Sequence, residues 1–146
     1  MATTNLDRQV GQRLASLDIR YTTGRSRVVS SLASLDGPMS AAELRDFIAP
    51  PVPLSSLYRT LAVLEESGVV TPHYGKSGVA RYELAEWLKG HHHHLVCIDC
   101  GAIEDVSLST SQESRVHDVI NDIVALAEFQ ATDHTLEIEG RCKKCS

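Results

Sequence analysis

The sequence predicts an α+β fold in two unlike parts, and three observations point to it. The first half repeats apolar residues at helical spacing and closes on a short hairpin pattern. The second half holds all four cysteines, as two Cys-x-x-Cys pairs, and six of the seven histidines. Charge divides the same way: residues 1–84 carry nine Lys or Arg against eight Asp or Glu, and residues 85–146 carry five against eleven. Domains are therefore expected at 1–84 and 91–146, with 85–90 as a linker.

The elements of the first half follow in order. NLDRQVGQRLASLDI sets Leu6, Val10, Leu14 and Leu17 at helical spacing. TTGRSRVVSSLASLDGP continues with Val28, Val29, Leu32 and Leu35, with Thr22 or Thr23 as cap and Gly37-Pro38 as stop. In SAAELRDFI, Ser40 and Glu43 form a capping box and Leu44, Phe47 and Ile48 an inner face. APPVP forbids helix. LSSLYRTLAVLEESG then brings Leu57, Leu61 and Leu64 to one face, with Ser55 or Ser56 expected as cap and Gly68 as terminator. VVTPHYGKSGVARYEL reads as two strands around Gly-Lys-Ser-Gly.

Helix, helix, break, amphipathic helix and hairpin make a winged helix-turn-helix plan. Its fourth helix is the one expected in a DNA major groove. Ser55, Ser56, Tyr58, Arg59 and Thr60 face outward with hydrogen-bonding groups suited to phosphates or base edges. Arg20, Arg25 and Arg27 cluster near a helix start, a natural phosphate anchor. Lys76 and Arg81 of the hairpin reach the same way.

The second half is built for metal. Cys97-x-x-Cys100 and Cys142-x-x-Cys145 supply four thiolates in chelating pairs, the set a closed tetrahedral zinc site needs. No run of about 18 apolar residues suggests a membrane span, and the N-terminus lacks a signal-peptide core. A cytoplasmic setting is expected, where paired cysteines bind metal rather than form disulfides. SQESRVHDVINDIVALAEF has a broad apolar stripe, and HTLEIEGRC alternates as a strand. The knuckles thus tie a first strand to a last one across a helix, in a small α/β unit with a face suited to dimerisation.

GHHHHLVCIDCG, residues 90–101, leads into that first strand. Side chains alternate along a strand, so His92 and His94 share one face and His91 and His93 the other. Each pair is half of a tetrahedral set. The available partners are His117 on the helix, His134 before the last strand, Glu83 and Glu86 near the linker, His73 in the hairpin and Asp105 after the first knuckle.

LSSLYRTLAVLEESGVV, RYEL, HHHHLVCIDCGAIEDV and DHTLEIEGRCKKC together resemble the ferric uptake regulator family, most closely its zinc-uptake-regulator branch. The resemblance covers nearly the whole chain. It implies a winged helix followed by an α/β dimerisation domain, acting as a homodimer on palindromic operators. By position, it makes Cys97, Cys100, Cys142 and Cys145 a structural zinc site. It makes His92, His94 and Glu83 a hinge regulatory site, with His73, Glu86 or Asp105 open as the remaining ligand. It makes His91, His93 and His134 part of an additional site, whose fourth ligand falls seventeen residues earlier, on His117. Many members supply a hinge histidine before the third helix; GPMS here has none. Zinc is the expected structural and regulatory ion, with iron or nickel as alternatives at the regulatory sites. The function implied is a zinc-responsive repressor of metal-uptake genes, the alternatives being iron, nickel or peroxide response. A zinc enzyme is disfavoured, since there is no His-Glu-x-x-His motif or nucleophile constellation, and a storage protein would not need a winged helix.

Overall fold

A computed structural model describes residues 4–75 and 77–146. Lys76, expected at the hairpin tip, lies outside them. The order is α1 (Asn5–Ser16), α2 (Thr23–Ala33), β1 (Met39–Ser40), α3 (Ala41–Arg45), α4 (Leu54–Glu66), β2 (Val70–Tyr74) and β3 (Ala80–Leu84). Then come α5 (Glu86–Lys89), β4 (His93–Cys97), β5 (Ile103–Val106), α6 (Thr110–Ala125) and β6 (Glu137–Gly140).

The N-terminal helices close on one apolar core. Val10, Leu14, Val28, Val29, Leu32, Leu44, Leu57, Leu61 and Leu64 are buried in it, so the 3.6-residue period does set the inner faces. Thr22 caps α2 by accepting from the Arg25 amide at 3.3 Å. Ser40 caps α3 by accepting from the Glu43 amide at 3.2 Å.

Two local expectations are corrected, and one strand is new. Pro53, not Ser55 or Ser56, holds the N-cap of α4, and both serines lie inside its first turn. Leu17 and Phe47 are exposed rather than packed, because α1 and α3 end before them. The short strand β1 has too few residues to show a period; it pairs with β3, giving the sheet order β1-β3-β2.

The second sheet has the order β5-β4-β6, with β4 antiparallel to β5 and parallel to β6. A parallel pair needs a long crossover, and α6 supplies it. Ser109 and Gln112 start α6 with a reciprocal capping box, at 3.2 and 2.9 Å. Parallel pairing has a direct consequence for the site. Cys97 at the end of β4 stands opposite Gly140 at the end of β6, so the two knuckles emerge side by side. The histidines collect at the opposite end of the same strands.

The two sheets are joined by more than the chain. α5 turns once between them, with Leu88 packed on the N-terminal core and the Trp87 indole donating to the Gly68 carbonyl at 2.7 Å. The loop after α2 also docks on β5, where the Asp105 amide donates to the Asp36 carbonyl at 3.3 Å. A Cβ on Gly37 would stand 2.4 Å from the Ile103 carbonyl oxygen and 3.3 Å from Glu104 Cα. Those neighbours are backbone and cannot swing aside. Gly37→Ala is therefore expected to lower stability by about 1–3 kcal/mol through overpacking. The restricted unfolded chain offsets about 0.4–1 kcal/mol of that. Urea denaturation checks it: an unchanged or higher midpoint would show that the loop does not seat on β5.

Candidate metal centre

Among the described residues four groups of metal-ligating side chains assemble, in each of which the ligand atoms lie within 4.8 Å of one another; one of them, Glu86, His91 and Asp133, is wholly exposed and shares His91 with a larger group, which leaves three to consider. The first is Cys97, Cys100, Cys142 and Cys145. Each knuckle is a tight turn, closed by Gly101 N to Cys97 O and by Cys145 N to Cys142 O, both 3.0 Å. Cys100 Sγ and Cys142 Sγ are 3.8 Å apart, the edge of a tetrahedron with sulfur about 2.3 Å from its centre. The Cys97 thiol is drawn down to about 6, chiefly by the Cys100 backbone amide and then that of Cys142. The Cys145 thiol is pushed up to about 12, chiefly by its hydrogen bond with Cys142. The geometry favours the first thiolate and opposes the last. Holding all four as thiolates takes a cation, and the donor set fits zinc.

The second group is Glu83, His92, His94 and Asp105. It spans the two sheets: Glu83 is on β3, His94 and Asp105 face each other across β4 and β5, and His92 precedes β4. Glu83 is buried, with only 4% of its side chain exposed. Its Oε1 lies 2.7 Å from His73 Nε2, 3.0 Å from His92 Nε2 and 2.8 Å from His94 Nε2. Burial alone would raise the Glu83 carboxyl, but the hydrogen bonds from His73, His94 and His92 outweigh it and hold it far below the usual range. Asp105, then Glu83, raise His94 to about 9, so His94 must release a proton before its Nε2 can take a cation. Among the described residues neither buried oxygen of Asp105 has a directed hydrogen bond, and both stand in ion pairs instead, Oδ1 3.3 Å from His94 Nε2 and Oδ2 against Lys89 Nζ. A buried carboxylate left so is costly unless paired or ligating. Of the three candidates for the open hinge position, Asp105 enters the four-atom set, His73 touches Glu83 beside it, and Glu86 turns away.

The third group is His91, His93, Glu113 and His134. Glu113 Oε1 is 3.0 Å from His91 Nε2 and 2.8 Å from His134 Nε2, and its Oε2 is 2.8 Å from His93 Nε2. The three imidazoles, His93 first, lower the Glu113 carboxyl to about 2. His91 Nδ1 meets Glu86 of α5, which raises its basicity and fixes the ring. His93 is buried, and its Nδ1 has no hydrogen-bond partner among the described residues.

The alternation of the four histidines thus separates the odd pair from the even pair. His117 does not enter the four-atom set, although its ring centroid lies 5.2 Å from that of His134. It sits one helical turn beyond Glu113, with 60% of its side chain exposed, and its Nε2 is 3.8 Å from Glu113 Oε1. Glu113, the α6 residue that meets His134, lies 21 residues before it rather than seventeen. Residues four apart share a helix face, so the helical period alone could not choose between 113 and 117. The group that assembles is three histidines and a carboxylate, with His117 alongside.

Of the residues expected to touch DNA, Tyr58 and Arg59 project from α4 and are exposed, as is Ser55, while Ser56 is half-buried. The Arg59 guanidinium reaches back to Ser56 Oγ at 3.5 Å. Exposed Arg20 and half-buried Arg25 are linked at the start of α2, where the Arg25 guanidinium donates to the Arg20 carbonyl. No helix among the described residues is long and apolar enough to cross a membrane.

Two variants separate the helix positions. Glu113→Gln is expected to lose one bound divalent ion per chain, and His117→Ala to lose none. Elemental analysis after dialysis reads the result, and loss of an ion in His117→Ala would contradict the arrangement.

The ferric uptake regulator family model matches residues 16–139. The ferric uptake regulation protein of Legionella pneumophila is 36% identical over 139 residues, covering 92% of this chain and 96% of that protein. The Bacillus subtilis (strain 168) protein of the same name is 36% identical over 99 residues, 67% of this chain and 63% of that protein. Among solved structures, the Vibrio cholerae ferric uptake regulator superposes with a TM-score of 0.70 at 29% identity, covering 90% of this chain and 98% of that one. The chain belongs to the ferric uptake regulator family, metal-responsive transcriptional regulators that bind DNA as dimers and are not enzymes.

Proposed function

We propose that this regulator responds to zinc, repressing metal-uptake genes from palindromic operators in the cytoplasm. The observation that carries this reading is the size of the hinge set: Glu83, His92, His94 and Asp105 close on one point as four donors. Zinc takes four donors in tetrahedral arrangement, whereas manganese and magnesium prefer six oxygens. Iron is the second reading, because the Legionella pneumophila and Bacillus subtilis relatives are named for ferric uptake.

In this reading residues 1–84 bind DNA, 85–90 form the hinge and 91–146 hold metal and the dimer interface. Cys97, Cys100, Cys142 and Cys145 hold a structural zinc ion that contributes folding energy to the C-terminal sheet. Val119 and Ile123 of α6 are exposed beside an apolar groove of about 550 Å³ lined also by Leu108, Val116 and Leu136. A second copy covers that face. A cation at the hinge would neutralise Glu83 and Asp105 and draw their two strands to one centre. Glu83 lies on the strand that closes the wing, so fixing it fixes α4 relative to the dimer. Tyr58, Arg59, Ser55 and Ser56 then meet base edges or phosphates, and Arg20 and Arg25 anchor the backbone. Coupling of this kind typically amounts to about 1–3 kcal/mol, and it is reciprocal.

The test is fluorescence anisotropy of a duplex selected from random sequence by the zinc-loaded dimer, titrated against free zinc and against free iron(II). Filling the hinge with zinc is expected to tighten binding at least about tenfold, within that coupling range. Arg59→Ala should keep its zinc content and lose the duplex. Tightening by iron(II) alone would favour the ferric reading and overturn zinc.

A further inference from the structure

The two hinge carboxylates divide their oxygens between the imidazoles and a residue of the linker. Glu83 turns Oε1 to the imidazoles and Oε2 to Lys89 Nζ at 3.3 Å. Asp105 does the same. Its Oδ1 faces His94 Nε2 at 3.3 Å and His92 Nε2 at 3.6 Å, while its Oδ2 meets Lys89 Nζ. One ammonium group thus engages the outer oxygen of both carboxylates.

Lys89 is held for this task. It ends α5, where its amide donates to the Ala85 carbonyl at 3.0 Å. α5 is pinned on the N-terminal side by Leu88 and Trp87. The Lys89 side chain is 23% exposed, and both its partners are more buried.

We propose that Lys89 is a specificity-determining residue of the hinge site: by holding Glu83 Oε2 and Asp105 Oδ2 it forces both carboxylates to bind through a single oxygen. This deepens, and rests on, the zinc reading. A carboxylate free to turn offers two oxygens, and hard cations of high coordination number use both. With the outer oxygens held, the site presents two nitrogen and two oxygen donors, a count that suits zinc. Manganese and iron(II) are left short of ligands. The ammonium also offsets one of the two carboxylate charges, which lowers the site's attraction for divalent ions in general. An ordinary surface ion pair would do neither. It would contribute a little stability and leave metal preference untouched.

Cobalt(II) reports coordination number by its visible bands, intense for four-coordinate and weak for five- or six-coordinate ions. The experiment uses the full-length dimer with zinc kept in the four-cysteine site and His134→Ala silencing the additional site. Cobalt is titrated into this parent and into Lys89→Met and Lys89→Arg made in it; manganese and zinc affinities are measured in parallel. The parent is expected to show intense bands, Lys89→Met weak ones, and Lys89→Arg the parent spectrum. The ratio of manganese to zinc affinity should rise about tenfold in Lys89→Met, as its carboxylates become free to bind through both oxygens. Lys89→Ala repeats the measurement if Lys89→Met fails to fold. A Lys89→Met spectrum and affinity ratio equal to the parent's would overturn the role of Lys89 while leaving zinc response standing. Weak bands in the parent itself would overturn both.

Discussion

Much of this molecule depends on one buried carboxylate. Glu83 sits on the last strand of the winged helix, and three imidazole nitrogens stand within 3.0 Å of a single one of its oxygens. Burying a negative charge is expensive unless it is matched. Here the match comes from three places: His73 in the same sheet, His92 and His94 at the mouth of β4, and Lys89 in the linker. The N-terminal sheet and the C-terminal sheet therefore share one electrostatic debt. Anything that changes the charge at Glu83 changes how the two are held.

The second organising constraint is the parallel pairing of β4 and β6. It puts both cysteine knuckles beyond one end of the strands, and it brings His134 beside the histidine run at the other. α6 runs between the two strands and supplies Glu113 from its first turns. One crossover thus gathers two separate side-chain clusters, a sulfur one at one end of the strands and an imidazole-carboxylate one at the other. Glu86 and Lys89 lie on the same turn of α5 and reach different centres, His91 and the Glu83–Asp105 pair. The linker thereby touches both histidine clusters.

What the sequence made legible was whatever obeys a period or a fixed spacing. Leu57, Leu61 and Leu64 repeat at helical intervals and are buried. His91 to His94 alternate because a strand alternates, so the odd and even pairs separate. The cysteine pairs carry their own geometry. What escaped had no period to reveal it. Glu113 and His117 share a helix face, and only the length of the α6–β6 connection decides between them. Lys89 belongs to a four-residue helix too short to show a pattern. Gly37 docks on β5 through backbone contact, and no side chain announces it.

The central claim is that filling the Glu83, His92, His94 and Asp105 set fixes the two recognition helices of a dimer relative to each other. Spin labels on exposed Gln12, one per chain, would report it by pulsed electron resonance. The four-cysteine zinc stays in place throughout. The account predicts a broad distance distribution without hinge metal that collapses to a narrow one when zinc is added, and no collapse in Glu83→Ala. A distribution that is equally narrow with and without zinc would contradict it.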